Sequence, residues 1–434
     1  MKIAVITAGG AGMFCGSCMQ DNTLVRTLRL AGEDAVLVPT YTPIRVDEED
    51  ASLNKVFLGG INVYLDSAVP GWKRLPAWAT GWLNGTPVLR LLTKLGTSTD
   101  AARLGSLTLD MLKGTVGPQQ REVIAFTDYL CDELKPDIIV FSNALLSGVL
   151  SSLRDRFSGP IVCLLQGDDI FLDALSKRWK QPVIQQLSQN CRGFDGFLTH
   201  SQYYRNFMAD YLSLPLEKFR QIPLALDVSN LPPATAQQSA VDDRFTIGYF
   251  ARVCPEKGIE NLLSIAPEVL HRMTDAEIVI GGYLPRQHSG WFQRTLKSLQ
   301  RRFGDRIRYV GSPVDRLAKY DIIRTFDVLC VPTTYREPKG LFVLESGLLN
   351  IPAVVPGHGA FPELIAQLKS GWLFDPNDLS AAVDTLEQCR DLLPLPATES
   401  DSLPHRIRQQ FSMEATAKSL SATLADFATG FVAD

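Results

Sequence analysis

The sequence predicts an α/β protein of two Rossmann-like, doubly wound parallel-sheet domains facing each other across a cleft. Three observations carry that expectation. Short apolar strands alternate with segments of helical period, the alternation stops at a polar linker and then starts afresh, and 434 residues are more than one hydrophobic core comfortably fills.

In chain order, the strand candidates of the first half are "KIAVITAG", "DAVLVPTY", "INVYLD", "DIIVFSN", "PIVCLLQG", "FDGFLTHS" and "RQIPLAL". Each is a short, mainly apolar run, as expected for strands of a sheet covered on both faces. Between the later ones, "QREVIAFTDYLCDELK" and "PVIQQLSQNCR" repeat apolar residues at helical spacing. The passage "ALDVSNLPPATAQQSAVDDR", rich in proline, serine and glutamine, breaks the rhythm. The strands "FTIGYFA", "AEIVIGG", "RIRYVG", "DVLCVP" and "PAVVP" follow it. The predicted organisation is a first domain over 1–225, a linker over 226–243, a second domain over 244–403 and a last helical stretch over 404–434.

Composition is that of an ordinary globular chain, and a net charge of -4 gives no global reason to expect nucleic acid as a partner. No apolar run approaches a membrane span, and "MKIAVITAGG" reads as a strand entering a glycine turn rather than a signal peptide. The expected location is cytoplasmic. The eight cysteines are scattered, several inside strand-like runs, as reduced cysteine is when used as a small hydrophobe. Cys15 and Cys18 form the CxxC, with no second pair or nearby histidine to complete a zinc site.

The stretch 67–98 departs from the alternation. It lacks acidic residues but contains Lys73, Arg74, Arg90 and Lys94 with Trp72, Trp78 and Trp82. The commoner outcome is an inserted helical subdomain, about 67–120, whose tryptophans pack internally. The other is a peripheral surface for an anionic bilayer on the inner face of the membrane, or for a lipid-linked substrate.

Candidate chemistry lies just after strands, where ligands bind in open α/β sheets. In "REPKGLFVLESG" Pro338 biases Glu337 towards an extended loop and suits the first helical position, and the apolar run that follows predicts a helix with Glu345 about two turns inside it. A carboxylate so placed needs a partner. After the strand "FTIGYFA", Arg252 and Lys257 of "ARVCPEKG" suit a diphosphate: guanidinium binds oxygens bidentately and ammonium acts as a point charge. After the first strand, Gly9, Gly10 and Gly12 let backbone amides approach an anion. No acid ends the second strand in the way a dinucleotide fingerprint requires.

Together, the "ARVCPEKG" loop, the "GG" of "VIGGY", the block from "YVGSPVDRLAKYD" to "VVPGHGAFPELI" and the early glycine loop resemble a family-four retaining glycosyltransferase of the GT-B fold. Glu337 and Glu345 stand at the ends of that family's E-x7-E motif, in "EPKGLFVLE". The resemblance implies a hexosyltransferase using a nucleotide-diphosphate sugar, UDP- or GDP-linked, without metal or other cofactor. It makes Glu337, Arg252 and Lys257 catalytic, with Glu345 on the ribose hydroxyls. Gly340 and Leu341 would face sugar and phosphate, Gly311 and Val314 the base, and Gly9, Gly10 and Gly12 would close from the opposite, acceptor-side domain. The 404–434 helix would pack back on the first domain. Relatives often carry a histidine where this chain reads "LLQGDDIF", so Gln166, Asp168 and Asp169 would face the acceptor, a glycan, lipid-linked or small molecule. Lys339, where relatives often have an aromatic or small residue, is expected to be a solvated loop lysine. His358 is expected to be structural. The rival readings are a nucleotide-sugar epimerase or hydrolase on the same fold, a phosphorylase, and a non-catalytic sugar-nucleotide-binding protein.

Overall fold

The computed structural model describes residues 1–9, 16–58, 101–229, 231, 244–394 and 402–430. Gly10, Gly12, Cys15, the strand expected at 61–66, the tryptophan-rich stretch 67–98 and most of the expected linker lie outside them.

Two six-stranded parallel sheets organise the chain. The first contains β1 (Lys2–Thr7), β2 (Asp34–Pro39), β3 (Ile138–Phe141), β4 (Ile161–Leu164), β5 (Gly196–Thr199) and β6 (Phe219–Gln221), in the order β2-β1-β3-β4-β5-β6. The second contains β7 (Phe245–Phe250), β8 (Ala276–Gly281), β9 (Ile307–Gly311), β10 (Val328–Cys330), β11 (Ala353–Pro356) and β12 (Trp372–Phe374), in the order β12-β11-β10-β7-β8-β9. Both are doubly wound: the chain leaves in one direction and then restarts on the other side of its first strand. The topological switch points fall between β1 and β3 and between β7 and β10, where ligands of such sheets bind.

One strand expectation is corrected and one further strand appears. "RQIPLAL" pairs only at its start, through Phe219–Gln221, because Pro223 cannot donate to a ladder. β12, three residues at an edge, carries too little pattern to be recognised in the sequence.

The chain divides into two compact units, Met1–Leu226 with Thr416–Asp434, and Asp227–Ala415. In the first, β1, β3, β4 and β5 are buried on both faces, which is why they read as continuous apolar runs. The helix Met413–Gly430 contributes Leu420 and Leu424 to a core containing Val5, Leu28 and Leu198. In the second, Ile247, Val279, Leu329 and Val354 are fully or almost fully buried. Helix starts are set locally: Asp315 accepts from the Ala318 amide at 2.9 Å and Ser201 from the Tyr204 amide at 3.2 Å.

Candidate active site

The loops after β7 and β10 flank the switch point of the second sheet. Tyr249, fully buried in β7, donates from its hydroxyl towards the carbonyls of Arg252 (2.8 Å) and Lys257 (3.3 Å), so one side chain fixes both ends of the cationic loop. Gly258 then turns with φ +70°, its α-hydrogens against the Pro332 carbonyl where a Cβ would overlap. That turn sends the Lys257 ammonium to the Glu337 carboxylate, with which it forms a short, largely buried ion pair.

Glu337 is 5 % exposed and also accepts from the Gly340 amide at 3.4 Å. Burial pushes its carboxyl up, but Lys257, Lys339 and the Gly340 amide more than offset this, so it titrates below the usual glutamate range. The turn after β11 holds its backbone: the Ala360 amide donates to the Glu337 carbonyl at 2.8 Å. Gly359 (φ +63°) leaves no room for a Cβ, which would stand 2.6 Å from that carbonyl oxygen.

Several expectations change here. Lys339 is buried rather than solvated, because the same turn that carries Glu337 inward carries it too. The helix begins at Leu341, not at Pro338, since Gly340 is left-handed (φ +74°). Glu345 is therefore just over one turn inside it. Glu345 accepts from Lys319 at 3.0 Å, and Lys319 also lies over the Tyr320 ring. Arg252 is more exposed and pairs with Glu256 at 3.4 Å. Gly311 is left-handed (φ +88°) with open space around it, and Val314 is exposed. His358 bonds the Thr333 carbonyl through Nε2 at 3.1 Å, and burial lowers its pKa. It braces the loop after β10.

In the first unit, polar groups gather at the carboxyl ends of β1, β3 and β4. Asp21 accepts from Thr7 and from the Gln166 amide group, each at 2.7 Å. Asp168 accepts from the Ala144 amide at 2.8 Å and the Gln166 amide at 3.1 Å, tying together the loops after β3 and β4. Burial raises its pKa to about 6, although the two backbone bonds oppose the shift. Asp169 accepts from the Tyr204 hydroxyl at 2.6 Å. The two adjacent acids are thus engaged by different elements, and among the described residues no group of three His, Cys, Asp or Glu side chains converges as a metal site. Gly9 (φ +80°) lies against Thr42 without space for a Cβ. Glu48 is bound by Arg26 (2.9 Å) and Thr23 (3.0 Å).

Sequence reasoning missed Tyr249, Lys319, Thr7 and Asp21. For Asp21 a signal existed: "QDNT", four polar residues in a row, occupies the buried part of the helix Gly16–Leu30. Tyr249 and Lys319 gave none, since each earns its place through residues distant in sequence.

Residues 233–396 match the family model described as "Glycosyl transferases group 1". The chain is 25% identical over 209 residues to the GDP-mannose-dependent monoacylated alpha-(1-6)-phosphatidylinositol monomannoside mannosyltransferase of Corynebacterium glutamicum, covering 44% of this chain and 51% of that protein. It thus spans about half the length of that curated relative. Among solved structures it is similar to sucrose-phosphate synthase from Thermosynechococcus elongatus, with TM-score 0.68, 18% identity and coverage of 99% of each chain. It is also similar to Anabaena HepE in complex with UDP, with TM-score 0.65, 16% identity and coverage of 98% of this chain and 100% of the other. These likenesses, with the two parallel sheets, give the chain the two-domain Rossmann-like GT-B fold.

Proposed function

We propose that this chain, whose residues 233–396 match the family model of the group 1 glycosyl transferases, transfers a hexose from a nucleotide-diphosphate sugar to a lipid-linked acceptor, with retention and without a metal ion. The observation that carries this reading is the meeting of Lys257 and Glu337 at the switch point of the second sheet, with Lys339 buried beside them. Two cations around one carboxylate favour an arriving diphosphate, and a partly buried ammonium stabilises charge there more strongly than it would in water.

In this reading the bond from the sugar's anomeric carbon to the diphosphate breaks as that carbon bonds to the acceptor hydroxyl oxygen. The hydroxyl proton passes to a leaving phosphate oxygen. Lys257 and Arg252 stabilise the departing diphosphate, while Glu337 orients Lys257 and holds a sugar hydroxyl. Glu345 and Lys319 serve the nucleoside side with Gly311 and Val314, and the amides of Gly340 and Leu341 face sugar and phosphate. Gly9 is assigned to the donor, and Gln166, Asp168 and Asp169 to the acceptor and sugar side. A lipid-linked acceptor is supported by the relative named for a phosphatidylinositol mannoside, and the same name favours a GDP-linked donor. HepE, with UDP bound, keeps a UDP-linked donor in the reading.

The test is a thermal-shift panel of UDP-, GDP- and ADP-sugars in EDTA, followed by the anomeric configuration of the product by NMR. A shift with one nucleotide class that disappears in Arg252→Ala/Lys257→Ala is expected. An inverted product, or turnover that requires added metal, would overturn the corresponding part of the proposal.

A further inference from the structure

The helix Arg286–Phe303 in the second unit has a charge pattern that the site does not use. From Ile278 to Gly304 the chain has no aspartate or glutamate, and this helix carries Arg286, Arg294, Lys297, Arg301 and Arg302, all exposed. Phe292 and Leu296 hold its inner face against the unit. At 100° per residue, Arg294, Lys297 and Arg301 follow one another at i, i+3 and i+7 on the opposite face. Trp291, 37 % exposed, flanks that row on the same side as Arg302.

Neighbouring arginines show what structural use looks like. Arg306 donates to the carbonyls of Ala276 (2.9 Å) and Met273 (2.7 Å), Arg308 grips Glu277, and Arg244 reaches Asp305 at 3.3 Å. None of the five helix cations is paired with an acid among the described residues, although Arg302 lies over the Phe303 ring. Arg301 and Arg302 complement the helix dipole at its last turn, but Arg294 and Lys297 are mid-helix and Arg286 is at the unfavourable end. Like charges at i, i+3 and i, i+4 destabilise an isolated helix, so this row carries a small cost that a bound anion would offset.

We propose that the outer face of the helix Arg286–Phe303 is a docking surface for an anionic lipid bilayer. Charge complementarity identifies an anionic occupant, and the exposed tryptophan beside the cations selects a bilayer, where an indole rests at headgroup level. The inference is independent of the transfer reaction and of the stretch 67–98.

Co-sedimentation of the full chain with phosphatidylcholine vesicles, with and without phosphatidylglycerol, tests it. The chain should pellet only with the anionic vesicles, and less as salt rises. Arg294→Glu/Lys297→Glu/Arg301→Glu should weaken partitioning by about tenfold or more. Lys177→Glu/Arg178→Glu/Arg192→Glu, at exposed positions in and just after the helix Lys177–Cys191 of the first unit, makes the same change in net charge and should retain binding. Thermal melts of both variants should match the parent, since all six side chains are at the surface. No pelleting with anionic vesicles, equal loss in both variants, or undiminished binding by the first variant overturns the assignment. Binding of duplex nucleic acid by this face without vesicle binding also overturns it.

Discussion

Glu337 and Asp168 are both buried carboxyls, and their surroundings move them in opposite directions. Glu337 is held below its ordinary range because cations and an amide outweigh burial, so its stabilising effect is present above the unfolded pKa near 4.5 and is lost as pH falls through the folded value. Glu337→Gln should lower the melting temperature at neutral pH, and the gap to the parent should close under acid. Its transfer rate should fall about a hundredfold or more if Glu337 and Lys257 act together on the donor. Full turnover in this variant would remove Glu337 from the machinery. Asp168 titrates near 6 instead of 3.8, so the native state binds more protons than the unfolded chain between those values and stability declines as pH rises across that window. The decline amounts to roughly 3 kcal/mol. Melts of Asp168→Asn should lack this slope; if both proteins show it, the titrating group is another one.

At the scale of the element, the loop after β7 is positioned by its neighbours more than by its own contacts. Tyr249 reaches two of its carbonyls from within the strand, so Tyr249→Phe should cost about 1–2 kcal/mol and weaken donor binding through a misplaced Lys257. A merely structural hydroxyl would lower stability and leave the KM for the donor unchanged. Gly258→Ala is expected to be more severe, at about 1–3 kcal/mol, because the left-handed turn and the Pro332 carbonyl both exclude a side chain. Denaturant melts measure both. The helix Leu341–Gly347 makes the complementary point: its start is fixed by Gly340, which is left-handed, rather than by Pro338.

For the whole molecule, each unit has its own buried thiols. Cys163 and Cys191 lie in the first, and Cys254, Cys330 and Cys389 in the second, all with their pKa raised by burial. Each reacts only when its surroundings open, so labelling followed by mass spectrometry reads the two units separately. A donor that binds the second unit at a hundred times its Kd should stabilise it by about 2.7 kcal/mol. Labelling of Cys254, Cys330 and Cys389 should then slow far more than that of Cys163 and Cys191. Equal protection of both sets would mean that the units open together.

The sequence by itself determined the doubly wound architecture, because a parallel sheet covered on both faces must be written as short apolar runs separated by helical period. It also located the candidate chemistry, since loops at the carboxyl ends of such strands stand out as glycine, cation and carboxylate among apolar residues. Pairing was left open: Glu337 with Lys257 and Glu345 with Lys319 are separated by 80 and 26 residues, and only packing brings them together. The burial of Lys339 and the raised pKa of Asp168 were equally illegible, because both depend on how much water surrounding elements exclude. Chain order carries the pattern of what must be buried; the folded contacts decide which charges meet there.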